Sequence, residues 1–152
     1  MSSLLLGGFL VLVGAILFII GFVATRRSKT AQSWPTASGI VLNSDVQVHV
    51  DYDSDHGSST TYEPVVTYQY SIMGQNYTGT RIAFGANRFG RKKAYEIASK
   101  YPAGAQVIVH YNPDKVSDAT LEVVARGGTT FIIIGIIGAV IGLVIAVFSL
   151  VG

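Results

Sequence analysis

A chain of 152 residues that is 49% hydrophobic and only 13% charged is too apolar for an ordinary soluble domain of its size. The net charge is only +2, and the basic residues do not interleave with aromatics in any recognised motif, which argues against nucleic-acid binding. With no cysteine, thiol catalysis and cysteine-ligated metal sites are excluded.

The apolar excess sits at the two ends. Residues 4–24 contain no charged side chain, and neither do residues 129–151. At a rise of 1.5 Å per residue, about 20 residues cross roughly 30 Å of hydrocarbon. Each run reads as a transmembrane helix, because a lone segment in lipid must satisfy its own backbone. A cleavable signal peptide is the competing reading of the first run. That run has no positively charged lead and no A-x-A site.

Small residues recur along both spans. Gly7, Gly14 and Gly21 are seven apart, and the second span carries Gly135, Gly138 and Gly142, the last two forming a GxxxG. In lipid, close backbone approach drives helix association, so a hairpin or contacts with neighbouring subunits are expected. The plainer account is that glycine is common in membrane helices. No ionisable residue lies inside either span, which leaves an ion path or proton relay nothing to run on. Arg26, Arg27, Lys29 and Arg126 flank the spans, while the terminal tails carry no Lys or Arg. The positive-inside rule then puts the middle segment in the cytoplasm and both termini outside.

That middle segment, residues 33–125, has the length of one small domain. Trp34 and Pro35 open it in a turn-forming stretch, with the indole placed to anchor near the interface or cap the core. Residues 40–52 are β-branched, with Val46, Val48 and Val50 on one face against Gln47 and His49. Residues 63–72 alternate, with Val66, Tyr68, Tyr70 and Ile72 on one face, and Gly74 turns the chain into a strand over 75–83. Residues 91–101 read as a helix with Ala94, Ile97, Ala98 and Tyr101 as its buried stripe. Strands over 106–111 and 119–125 complete the domain. The expected fold is an integral membrane protein whose two helices flank a small α+β domain. That domain has about five mostly antiparallel strands, curled toward a barrel, and one helix.

The stretch GANRFGRKK, residues 85–93, nearly spells a phosphate-binding loop. A nucleotide loop needs G-x-x-x-x-G-K-[ST], with the hydroxyl for Mg²⁺, and no Ser or Thr follows the basic residues here. A plain lead into a helix is the simplest reading. The alternative is an anionic surface contact through Arg88, Arg91, Lys92 and Lys93, joined by Arg26, Arg27 and Lys29, with anionic lipid as the partner. Asp51, Asp53 and Asp55, with Glu63 beyond them, approach a calcium loop. The glycine comes one position late and Tyr62 stands where the twelfth ligand belongs, so a solvated hairpin tip explains the same residues. His49, His56 and His110 show no metal-like spacing, and no hydrolase triad order is present.

The pattern Trp34-Pro35, Gly39-x-Val41, Tyr62-x-Pro64-x-Val66-x-Tyr68-x-Tyr70, Gly74-x-x-Tyr77, Tyr101-Pro102-x-Gly104, Tyr111-Asn112-Pro113 and Leu121-Glu122 resembles a family of small membrane proteins. That bacterial family is known as a domain of unknown function, with two membrane helices flanking a β-rich domain. The resemblance implies architecture and membrane location, and no catalytic residue or cofactor. The functional expectation is a non-enzymatic membrane scaffold or accessory subunit that self-assembles or joins a larger membrane complex through its glycine-lined helices and its β-domain, with membrane lipids around it. An ion- or ligand-sensing domain, for Ca²⁺ or anionic lipid, is the alternative.

Overall fold

The computed structural model describes residues 2–53 and 57–151. Three helices and seven strands follow in the order α1 (Ser2–Ala31), β1 (Thr36–Asp53), β2 (Gly57–Ile72), β3 (Gln75–Gly79), β4 (Phe84–Gly85), α2 (Arg91–Ala98), β5 (Gln106–Asn112), β6 (Lys115–Thr120), β7 (Ala125–Arg126) and α3 (Gly128–Val151).

Helices α1 and α3 are long and apolar enough to cross a membrane. Neither is buried as a core helix of this chain: leucine, isoleucine, valine and phenylalanine side chains stand exposed along most of both lengths. Where they are buried, they are buried against each other through glycine. Gly7, Gly14 and Gly21 of α1 are buried, and so are Gly128, Gly135 and Gly142 of α3. A Cβ added to Gly7 would lie 2.7 Å from the Gly142 carbonyl oxygen, one on Gly14 2.6 Å from that of Gly135, and one on Gly21 2.5 Å from that of Gly128. The helices therefore run antiparallel, with two sevenfold glycine rows meeting rung by rung and backbone against backbone. A strict seven-residue spacing, close to two helical turns, keeps the three rungs on one face of each helix.

Helix α1 runs past residue 24, where its charge-free stretch ends, because nothing in residues 25–31 breaks a helix. The extra turns dock on the domain. Ser28 Oγ donates to the Val123 carbonyl at 2.7 Å, Ala24 and Ala31 are buried, and Trp34 meets Phe84 edge-on at 6.1 Å. Span and domain are thus joined by a continuous helix instead of a linker.

The main sheet is antiparallel in the order β3-β2-β1-β5-β6. A register shift between Val41 and Asn43 pushes Leu42 outward, so Val41, Ser44 and Val46 all face the same side. Against that side packs α2, buried through Ala94, Ile97 and Ala98. Its N-cap is Gly90, with no side-chain cap, and its first turn carries Arg91, Lys92 and Lys93. Both features work against the helix dipole, so burial holds this helix in place and capping does not. Tyr101 lies beyond the helix and packs half-buried against the core.

Val41, Val66, Tyr68, Tyr70, Ile97 and Val109 form the centre of the core. Fully burying a side chain of that size stabilises by about 1.5–3 kcal/mol. The expected curl toward a barrel does not close: β3 and β6 are the two open edges and share no ladder. Side chains bridge the gap instead. Tyr70 donates to the Val116 carbonyl of β6 at 2.6 Å, Tyr68 donates to the Arg81 carbonyl at 3.0 Å, and Arg81 pairs with Asp118. Burial pushes both tyrosine hydroxyls above their ordinary pKa, Tyr68 the further, with neighbouring tyrosines adding to it. They remain donors. The strand expected over 75–83 stops at Gly79, and the last expected strand is β6 followed by the two-residue β7, which pairs in parallel with β4.

Candidate functional site

Two regions have surface that the fold itself does not use. The first is the far half of the β1–β2 hairpin. Among the described residues, β1 from Asn43 onward pairs only with β2, so the hairpin projects beyond the sheet as a two-stranded arm. The face that holds Ser44 and Val46 against the core continues along it as Val48, Val50 and Tyr52, which are 54%, 44% and 86% exposed. The reverse face is polar. Glu63 accepts hydrogen bonds from His49 at 2.9 Å and Asn87 at 2.7 Å, and Asp51 faces Arg88 at 3.7 Å.

The second region is a groove of about 620 Å³ where α1 leaves its apolar stretch and meets the domain. Ile19, Ile20 and Val23 of α1 form one wall, and residues 80–87 form the other. Arg27, Arg81, Arg126 and Glu63 supply its charges. Arg126 binds Glu122 at 2.7 Å, and Tyr101 donates to the same carboxylate at 2.7 Å. Burial alone would raise the Glu122 pKa, but the hydrogen bonds from Tyr101 and Arg126 hold it below the usual glutamate range. Tyr101 is pushed up, first by burial and then by that same bond.

These observations place the residues named from sequence. Gly7, Gly14, Gly21, Gly135 and Gly142 lie on the helix seam. Gly138 lies beside it: an added Cβ there would come no nearer than 3.8 Å to Gly14. Gly128, the first residue of α3 and outside the charge-free run over 129–151, takes the third rung. The basic residues are not gathered on one surface. Arg26 lies over the Phe22 ring, Arg27 lines the groove, Arg88 faces Asp51, Arg91 lies over Tyr95, and Lys93 binds Glu96 at 3.0 Å. Lys29 and Lys92 are exposed on α1 and α2.

Of the calcium candidates, Asp55 lies outside the described residues, as do His56 and the side chain of Asp53. Asp51 and Glu63 already face partners. Among the described residues no group of three or more His, Asp or Glu side chains is placed to hold a metal. The stretch over 85–93 proves to be a connector. Gly85 takes a left-handed φ of +88°, its Cα close under the Arg126 carbonyl, and Phe89 exchanges backbone hydrogen bonds with Tyr62, both at 2.9 Å.

A family model described as a domain of unknown function, DUF3592, matches residues 37–126. The chain belongs to that family. The match spans the whole β-domain, from the first strand to β7, and stops short of both helices. No curated protein matches the chain. The glycine-seamed hairpin lies outside the matched residues, and the groove lies where hairpin and matched domain meet.

Proposed function

We propose that this DUF3592 protein is a non-enzymatic membrane scaffold whose hairpin crosses the bilayer and whose β-arm makes the contact with a partner protein. A second copy of the chain is the first candidate for that partner. The observation that carries the reading is the exposed continuation of the core face along the arm, Val48, Val50 and Tyr52, beside a β1 edge that, from Asn43 onward and among the described residues, pairs with β2 alone. Edges of that kind are templates for pairing with another chain, and strand addition is a common mode of recognition.

Two further features support it. The exposed apolar girth of α1 and α3 fits lipid, and Arg26, Arg27, Lys29 and Arg126 at the domain end favour a cytoplasmic domain with both termini outside. Two of the domain's ion pairs, Arg81 with Asp118 and Arg126 with Glu122, hold its own segments together. The glycine rows, by contrast, are occupied within one chain, so assembly is assigned to the arm and not to the helices.

The test is native mass spectrometry of the full chain in mild detergent, with pull-downs of the same samples. The double substitution Val50→Lys with Tyr52→Lys is expected to reduce an assembly to its monomer while the circular dichroism spectrum of the chain stays unchanged, and to lower the thermal midpoint only by what the assembly contributed. A wild-type chain that stays monomeric, together with a pull-down unchanged by the double substitution, sinks the proposal.

A further inference from the structure

We infer that the groove between α1 and residues 80–87 seats one anionic phospholipid. Its phosphate rests on Arg27, and one acyl chain lies along Val23, Ile20 and Ile19. The site is independent of the arm and rests only on the hairpin lying in a bilayer.

Position comes first. Ile20, Val23 and Arg27 follow one another at helical spacing on a single face of α1. From Ile20 to Arg27 the axial rise is about 10 Å. A phosphate at Arg27 therefore leaves the start of an acyl chain beside Val23 and its continuation beside Ile20 and Ile19. All three side chains are exposed to whatever fills the groove, at 42%, 48% and 58% for Val23, Ile20 and Ile19.

Charge comes second. Arg81 is held by Asp118, Arg126 by Glu122, and Glu63 accepts from His49 and Asn87. Among the described residues that line the groove, Arg27 is the one charged side chain given no ion pair, hydrogen bond or ring contact. Its guanidinium carries five N–H donors in a fork that matches a phosphate. Thr80 adds a hydroxyl on the facing wall.

Those two features select the occupant. A free phosphate has no use for an isoleucine and valine wall, and an apolar peptide segment has no use for an unpaired guanidinium. A lipid with a net negative headgroup uses both. A volume of about 620 Å³ takes the glycerol and part of one chain, leaving the rest in the bilayer.

The experiment uses the full chain in mild detergent, titrated with phosphatidylglycerol or phosphatidylcholine and read by native mass spectrometry as lipid retained. Wild type is expected to retain phosphatidylglycerol about fivefold better than phosphatidylcholine, the preference one interfacial basic residue confers. Arg27→Gln is expected to abolish that preference and Arg27→Lys to keep most of it. Arg26→Gln, with the same loss of charge beside Phe22, is expected to leave it intact. Ala83→Leu, which fills the facing wall, lowers retention of both lipids. Equal retention of the two lipids by wild type overturns the inference. So does a preference that Arg26→Gln reduces as much as Arg27→Gln, which would mark a diffuse surface field. Chain-free glycerol phosphate is expected to leave the thermal midpoint unmoved. A rise equal to that given by phosphatidylglycerol would make this an anion site with no lipid requirement, and would overturn the acyl-chain assignment.

Discussion

The helix hairpin and the β-domain solve the same packing problem in opposite ways. Between α1 and α3 the contact is made by side chains that are missing: three glycines on each helix let the backbones touch. Inside the domain the contact is made by large side chains with polar tips, and Tyr68 and Tyr70 tie an open sheet together across a gap it does not close by strand pairing. The first region is therefore vulnerable to added atoms and the second to removed ones.

The largest expected effect comes from adding atoms to the seam. Gly14→Leu forces the α1 and α3 backbones apart, at a cost of about 3 kcal/mol or more. Thermal unfolding of the full chain in detergent should register it as a lower midpoint, with loss of an engineered crosslink between the helices. Gly8→Leu, one residue along from Gly7 and facing open space, is the matched control and should shift the midpoint little. If both substitutions behave alike, the seam does not hold the hairpin.

Removing one atom from the domain should matter less but still be measurable. Tyr70→Phe leaves the Val116 carbonyl without its donor and should cost about 1–2 kcal/mol. Chemical unfolding of wild type and variant in parallel would read it. An unchanged midpoint would mean that the Tyr70 hydroxyl does not help to hold the open edge.

The smallest effect is one of pH. Folded Glu122 holds its proton less tightly than an unfolded glutamate, whose pKa is about 4.3. The stabilisation it gives is complete well above that value and fades as the pH falls through it and below. The midpoint difference between wild type and Glu122→Gln should therefore narrow between neutral pH and about pH 3. A constant difference would show that the Tyr101–Glu122–Arg126 cluster acts through shape and not through charge.

Much of the architecture was legible in the residues. The spans follow from charge-free runs, the inward strand faces from alternation at Val66, Tyr68 and Tyr70, and the buried side of α2 from Ala94, Ile97 and Ala98. The seam was half legible. The sevenfold row in α1 stands out, but in α3 the GxxxG of Gly138 and Gly142 masks the row in use. That row begins at Gly128, where the sequence looks like a loop because Gly127 precedes it.

Other features leave no local trace. Strands β4 and β7 have two residues each, too few to show a period, and exist because the chain on either side of the domain is brought together over α1. The continuation of α1 was hidden by its charges. Arg26, Arg27 and Lys29 end the apolar run but not the helix, which stops only near Trp34 and Pro35. The groove was the least legible part, since it joins a wall from residues 19–27 to one from residues 80–87. Of its lining, the sequence marks Arg27 within a group of basic residues that the fold sends elsewhere, Glu63 as a calcium candidate and Arg126 as a flanking charge, and nothing local brings the three together.

The unbroken passage of α1 from span to domain has a mechanical consequence. A helix of 30 residues is about 45 Å long. Pinned to the domain by Ser28, Ala24 and Ala31, it acts as a tiller and not a tether. A change of about 10° in its tilt, of the sort a thicker or thinner bilayer imposes, moves its far end by roughly 8 Å relative to the near one. With the hairpin in a bilayer, as proposed, the β-arm on the same domain would swing with it, so bilayer thickness would set where Val48, Val50 and Tyr52 point.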